Sequence, residues 1–314
     1  MLKVIKRNAP VIVFILMFSI GILIMIYPVI SSHINSVNYN DIIDDYALAT
    51  NNYSEDKNIE LFEKANNYNQ QLDSYSVIDI FSDPNRKVSE EYLNILNIDG
   101  KGLMGYIYIP KIDVRIPIYH GTSSEVLEKG VGHLEGSSFP IGGISTHAIL
   151  SAHRGLPSAK LFTDLDQLQI GDEFYIYILD RTLAYEVDQI LVVEPSETEA
   201  LQLQEGKDYV TLVTCTPYAI NTHRLLVRGI QVEYIEEVVQ ETKVEKKVSS
   251  SDKILYIGLV IAVLLLIFAI IQIKAANKKQ KNRKLQRARY YNMAEDDFHK
   301  NKRKNKNSKK RYRK

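Results

Sequence analysis

The chain has 314 residues, 45% of them hydrophobic and 25% charged, with 39 basic against 38 acidic side chains for a formal net charge of +1. That composition supports a globular domain with a sizeable core, and it excludes a collagen-like, wholly disordered or disulfide-stapled chain, because there is one cysteine. The near-neutral total conceals two basic ends and a strongly acidic middle.

Residues 1–10 form a basic N-terminus with Lys3, Lys6 and Arg7, and residues 11–30 are an uncharged apolar run, VIVFILMFSIGILIMIYPVI. A helix crossing a bilayer needs about 20 such residues, so the run is read as a membrane anchor. A cleaved signal segment is the alternative, although no clear small-x-small cleavage pattern follows the long apolar core.

Residues 31–100 are polar with a helical pattern. Phe62, Ala65, Tyr68 and Leu72 recur at steps of three and four, and Ser54 is placed to cap the helix, which predicts a helical hairpin laid on something larger. FSDPNRK, from Phe81 to Lys87, interrupts this pattern. Its proline pushes the preceding residue out of helical geometry and has no amide to donate, so an irregular loop is expected there.

From 101 to 235 the character changes to short segments rich in Ile, Val, Tyr and Thr: GYIYIP, VRIPIYH, THAILSAH, DEFYIYIL, TLAYEVDQILVVE, DYVTLVTC and HRLLVRGIQVEYI. Alternation in YIYIP and FYIYIL gives each strand one buried and one exposed face. Seven or eight such strands without long intervening helices predict a mainly β domain, an antiparallel barrel or sandwich.

Residues 236–253 form a charged linker, and residues 254–273, ILYIGLVIAVLLLIFAIIQI, form a second uncharged run read as a transmembrane helix. The tail, 274–314, carries eighteen Lys and Arg against Glu295, Asp296 and Asp297. By the positive-inside rule both termini lie in the cytoplasm and the acidic region between the runs lies outside the cell. Basic low-complexity sequence directly after a membrane helix is a stop-transfer signal that attracts anionic lipid, so membrane lipid and not nucleic acid is the expected partner.

The cysteine lies in TLVTCTPYAINTHRLLVRG, Thr211 to Gly229. Cys215 ends a strand where Thr216-Pro217 stops it, and Arg224 opens the next strand after a short loop. If the two strands are neighbours, thiol and guanidinium return to one rim of the sheet. That arrangement suits acyl transfer, in which a thiolate attacks a carbonyl and a planar, fixed cation steadies the developing oxyanion. A free thiol also needs an acid–base partner. Among His120, His133, His147, His153 and His223, His153 is best placed, at a strand-to-loop junction like that of Cys215. His147, at the other end of that strand, should point elsewhere, and His223 should face away. A lone cysteine is most often a small buried hydrophobe and a lone histidine a structural one, so spacing alone leaves both readings open.

TLVTCTPYAINTHRLLVRG together with LSAHRGLPSAKLFTDLDQL, Leu150 to Leu168, closely resembles the class C, pilin-polymerising sortases of Gram-positive bacteria, over about Leu103 to Tyr234. The resemblance implies an eight-stranded sortase-type β-barrel with added N-terminal helices, here flanked by two transmembrane helices. It implies cleavage of an LPxTG-like sorting signal between Thr and Gly, with Cys215 as the nucleophile, His153 as the acid for the leaving amine, and Arg224 as substrate clamp and oxyanion stabiliser. Thr214 is expected to shape the site. The acyl group would pass to a lysine of another pilin subunit. No metal or cofactor is implied.

Such enzymes typically carry an Asp-Pro-aromatic lid over the site. Here Asp83 and Pro84 match, but Asn85 stands at the aromatic position, so Asp83 is expected to pair with Arg224 over a weaker cover, unless Phe81 substitutes from two residues upstream. Two other functions fit the sequence: a sortase joining proteins or a pilus base to a cell-wall precursor amine, and a non-enzymatic membrane-anchored interaction module in which the thiol is incidental.

Overall fold

The structure is a computed structural model that describes residues 2–72, 88–235 and, in part, 260–295. The chain divides into two compact units, Ile24–Lys247 and a second made of Met1–Leu23 with Val248–Lys314. In the second unit the described residues of the first apolar run are helical, as are those between 260 and 295. Helix α1, Leu2–Asn51, includes one stretch long and apolar enough to cross a membrane. The 236–253 linker lies outside the described residues, and so does the part of the second apolar run before Val260.

The larger unit is built on a closed eight-stranded barrel. Its strands are β1 Leu103–Ile109, β2 Val114–His120, β3 Val131–His133, β4 Thr146–Ser151, β5 Glu173–Ile178, β6 Arg181–Val193, β7 Asp208–Thr216 and β8 His223–Val232. They run in the spatial order β1-β2-β3-β4-β7-β8-β6-β5, and β5 closes on β1. The sequence pattern found seven of these and missed β3, whose three residues are too few to show an alternation. The expectation of an antiparallel arrangement needs correction, because β2 pairs with β3 and β4 with β7 in parallel. Parallel neighbours require a crossover. Helix α4, Ser124–Lys129, lies in the first connection, and everything from Ala152 to Lys207, including β5 and β6, makes the second.

The alternating strands behave as their pattern requires. Phe174, Ile176 and Ile178 of β5 point into the barrel core, while Tyr175 and Tyr177 lie on its outer face with Tyr106 and Tyr108 of β1. There the Tyr106 and Tyr177 rings stack at 4.4 Å with an interplanar angle of 9°. A close approach inside the barrel explains Gly229 of β8: a Cβ there would lie 2.6 Å from the Phe174 ring and 2.9 Å from Tyr185 Cβ. Irregularities in β1 and β6 add the twist that a closed barrel needs.

Helices close one side of the barrel. Helix α2, Glu55–Gln71, is capped by Ser54, whose side chain accepts from Lys57 N–H, and it buries Phe62 and Ala65 in the main core, as its periodicity predicts. Asn69 near its end docks it twice: the side chain accepts from Phe139 N–H at 2.7 Å and donates to Phe139 O at 3.1 Å. From α1, the Tyr46 hydroxyl accepts from Leu179 N–H at 2.7 Å and donates to Met104 O at 2.9 Å. The short helix α3, Glu90–Leu93, adds Tyr92 to an aromatic cluster with His120, His133 and Phe139.

Candidate active site

Strand β7 is the axis of the site. On one side it pairs antiparallel with β8, in a register that sets Cys215 directly opposite Arg224 and Thr216 opposite His223. On the other side it runs parallel to β4, ending with Ser151 opposite Val213. Two side-chain bonds continue that register past the end of β4. Thr214 Oγ1 donates to Ala152 O at 2.7 Å, and Arg154 Nη1 donates to Thr216 Oγ1 at 2.8 Å, each spanning 62 residues. His153 and Cys215 are the pair bracketed between these two links. Thiol, imidazole and guanidinium therefore come from three adjacent strands at one rim of the barrel.

The backbone here is held locally as well. The His153 carbonyl accepts from Phe162 N–H at 3.2 Å. Gly155, two residues on, has φ +75°, and a Cβ there would lie 2.8 Å from the Tyr218 ring, so the loop after His153 lies under the β7–β8 loop. At the start of β8, Arg224 Nη1 points back to the carbonyls of His223 at 3.2 Å and Asn221 at 3.4 Å. Cys215, His153 and Arg224 are all partly exposed, while Thr214 is buried. Burial pulls the His153 pKa below the ordinary imidazole range, opposed by the Glu128 carboxylate of α4. Its neutral form therefore dominates at neutral pH.

The buried histidines separate cleanly from this one. His133 is fully buried, with Nδ1 2.8 Å from the Tyr92 hydroxyl and Nε2 2.8 Å from Ser138 O, and its pKa is pushed down to about 3 by desolvation. His147 lies with Nδ1 2.9 Å from Gln202 O and Nε2 2.7 Å from Thr211 Oγ1, and desolvation lowers it to about 4. His120 places its ring nitrogens 2.8 Å from Gly102 O and 2.7 Å from Ile95 O. All three are tied up inside the fold, and His223 interacts with its neighbour Thr222.

Asp83, Pro84 and Asn85 lie outside the described residues, so the expected contact of Asp83 with Arg224 has no structural account. Among the described residues no group of His, Cys, Asp and Glu is arranged to hold a metal ion. A cavity of about 470 Å³ between β6 and β8, lined by Thr182, Ala184, Gln231 and Tyr234 among others, sits at the opposite end of those strands from Arg224. Sequence reasoning missed one residue of the site, Arg154. The signal was its place beside His153, but what it reaches is fixed by the parallel register alone.

The family model for the sortase domain matches residues 107–232, the span that contains all three strand ends. The crystal structure of sortase C-1 from Streptococcus pneumoniae is 45% identical, and the match covers 62% of this chain and 100% of that one with a TM-score of 0.59. The chain belongs to the sortase family. A second similar structure, sortase C1 of GBS Pilus Island 1, is 44% identical over 65% of this sortase and 94% of that chain, with a TM-score of 0.58. Sortase D of Bacillus subtilis is 32% identical over 115 residues, which are 37% of this sortase and 55% of that protein. This sortase thus spans about half the length of the curated relatives it matches.

Proposed function

We propose that this sortase is a membrane-anchored cysteine transpeptidase of class C. It cuts an LPxTG-like sorting signal between Thr and Gly and joins the new acyl group to a lysine of a pilin subunit, polymerising pili outside the cell. The reading rests above all on the register of β7, with Cys215 opposite Arg224 and bracketed beside His153. The pilin part draws support from likeness to sortase C1 of GBS Pilus Island 1 and to the pilus-related sortase C of Group B Streptococcus.

In this mechanism Cys215 Sγ attacks the threonine carbonyl carbon, and the carbonyl oxygen takes up the charge beside the Arg224 guanidinium. Collapse breaks the Thr–Gly bond as the amine nitrogen takes a proton from His153, leaving a thioester on Cys215. The lysine ε-amine then attacks that thioester and loses a proton to His153, and the C–S bond breaks to return the thiolate. Because burial disfavours protonated His153, the imidazolium is a minor species at neutral pH but a strong acid towards the leaving amine.

The test is to incubate the detergent-solubilised full chain with a pilin that carries such a signal and to resolve the products on a denaturing gel. Ladders of covalent polymer are expected with the native protein and none with Cys215→Ala. Ladders that appear equally with Cys215→Ala would sink the enzymatic reading. Transfer to a cell-wall precursor amine with no ladders would replace pilin polymerisation by wall anchoring.

A further inference from the structure

We infer that Arg154 is a positioning residue for the His153–Cys215 pair, a strut that holds the end of β4 against the end of β7. The inference rests on the proposed roles of His153 and Cys215. The backbone ladder between these strands ends where Ala152 N–H donates to Val213 O at 3.2 Å. One residue later the chain turns aside, with the His153 carbonyl engaged by Phe162 N–H. Beyond that point the link described between the two strands is a side chain, Arg154 Nη1 donating to Thr216 Oγ1 at 2.8 Å. It falls one residue past His153 on one strand and one past Cys215 on the other.

The strut is anchored at its far side. Arg154 Nη2 pairs with Asp166 of the 3-10 turn Leu165–Gln167, so the same guanidinium ties the β4 loop, the β7 end and this turn together. Its placement is costly. The Arg154 side chain is 8% exposed, Asp166 is 50% exposed, and Arg154 Nε is buried without a hydrogen-bond partner among the described residues. A buried guanidinium loses its hydration, and a half-exposed carboxylate offsets only part of that loss. An apolar side chain would fill the space at less cost, whereas only a forked donor spans both contacts. Among the described residues the Glu128 carboxylate of α4 also acts on His153, and Arg224 of β8 lies opposite Cys215 in the next pairing.

The experiment compares Arg154→Ala, Thr216→Val and the double variant in the full chain, reading kcat and KM for a sorting-signal peptide and the pH profile of Cys215 alkylation by iodoacetamide. Small displacements of reacting groups cost up to roughly 100-fold, so each single variant should lower kcat by roughly 10- to 100-fold with KM little changed. The alkylation profile should move towards that of His153→Ala, and the double variant should be no worse than Arg154→Ala. A wild-type alkylation profile with lowered thermal stability alone, or kcat losses that multiply in the double variant, would overturn the inference. If Arg154→Ala does not fold, Thr216→Val decides, because it keeps the Asp166 ion pair. If the native protein transfers no peptide, the proposed function fails, and the alkylation profiles still decide the role of Arg154.

Discussion

Arg224 contributes a shape as well as a charge. Arg224 stands opposite Cys215 in the β7–β8 register, and one arm of its guanidinium is held by the His223 and Asn221 carbonyls. Lysine would keep the positive charge but lose the planar fork. Arg224→Lys should therefore lower kcat/KM for transpeptidation by roughly 10²–10³-fold, the scale of losing one oxyanion donor, with the fold intact by circular dichroism. Near-native kcat/KM in that variant would argue against an oxyanion role. The Cys215–Arg224 pair was legible in the sequence because both residues sit in one hairpin, where strand ends and loop length fix what lies opposite what. His153 was legible only as a junction of the right kind. Its alignment with Cys215 depends on a parallel pairing between segments 62 residues apart, which no local pattern encodes. The same non-locality hid Arg154, which reads locally as an ordinary loop arginine.

Among the elements, α2 was visible from its periodicity and its Ser54 cap, but its docking was not. Asn69 looks like a solvent-facing polar residue near a helix end, yet it is buried and satisfies both backbone groups of Phe139. Asn69→Ala would strand the buried Phe139 N–H, at about 1–3 kcal/mol for the group left unpaired, while the Phe139 C=O keeps its bond from Ile141 N–H at 2.8 Å. A loss of about 1–3 kcal/mol in denaturant unfolding is expected. An unchanged midpoint would show that water replaces the amide at no net cost. Strand β3 was illegible for a different reason. Val131, Gly132 and His133 are buried together, so no polar face marks the strand, and its pairing is imposed by β2 and β4 on either side.

The whole molecule carries a pH dependence set by groups away from the rim. His133 and His147 are held at about 3 and about 4 in the folded state, against roughly 6.5 in an unfolded chain. The unfolded chain therefore binds more protons below roughly pH 6.5, and the folded state loses stability as the pH falls from there towards 4. Each of these histidines contributes at most about 1.4 kcal/mol per pH unit in that window. Asp208 works against them: burial raises its pKa, so its protonation favours the folded state. Burial lowers His120 as well, so three buried histidines stand against one carboxylate and the net slope should be acid-destabilising, measurable as a Tm that is level above pH 7 and falls below pH 6. His147→Asn should flatten the slope, and an equally steep fall in that variant would exclude His147 as a source. The outline of a mainly β domain preceded by helices was readable from composition shifts along the chain. The barrel's closure, borne out here, came from the family resemblance and not from the local pattern, because it depends on pairings between distant strands.

The parallel pairing of β4 with β7 has a consequence for when the site exists. His153 is made early in the chain and Cys215 late, and the strands that separate them, β5 and β6, are the ones that close the far side of the barrel. The two groups proposed to react come together only when β7 lies between β4 and β8. A chain in which these strands have not yet paired would thus carry a lone thiol with no imidazole aligned to it. On the roles proposed for these residues, reactivity therefore waits on this one long-range pairing, and the fold itself keeps the cysteine quiet until β4 and β7 are joined.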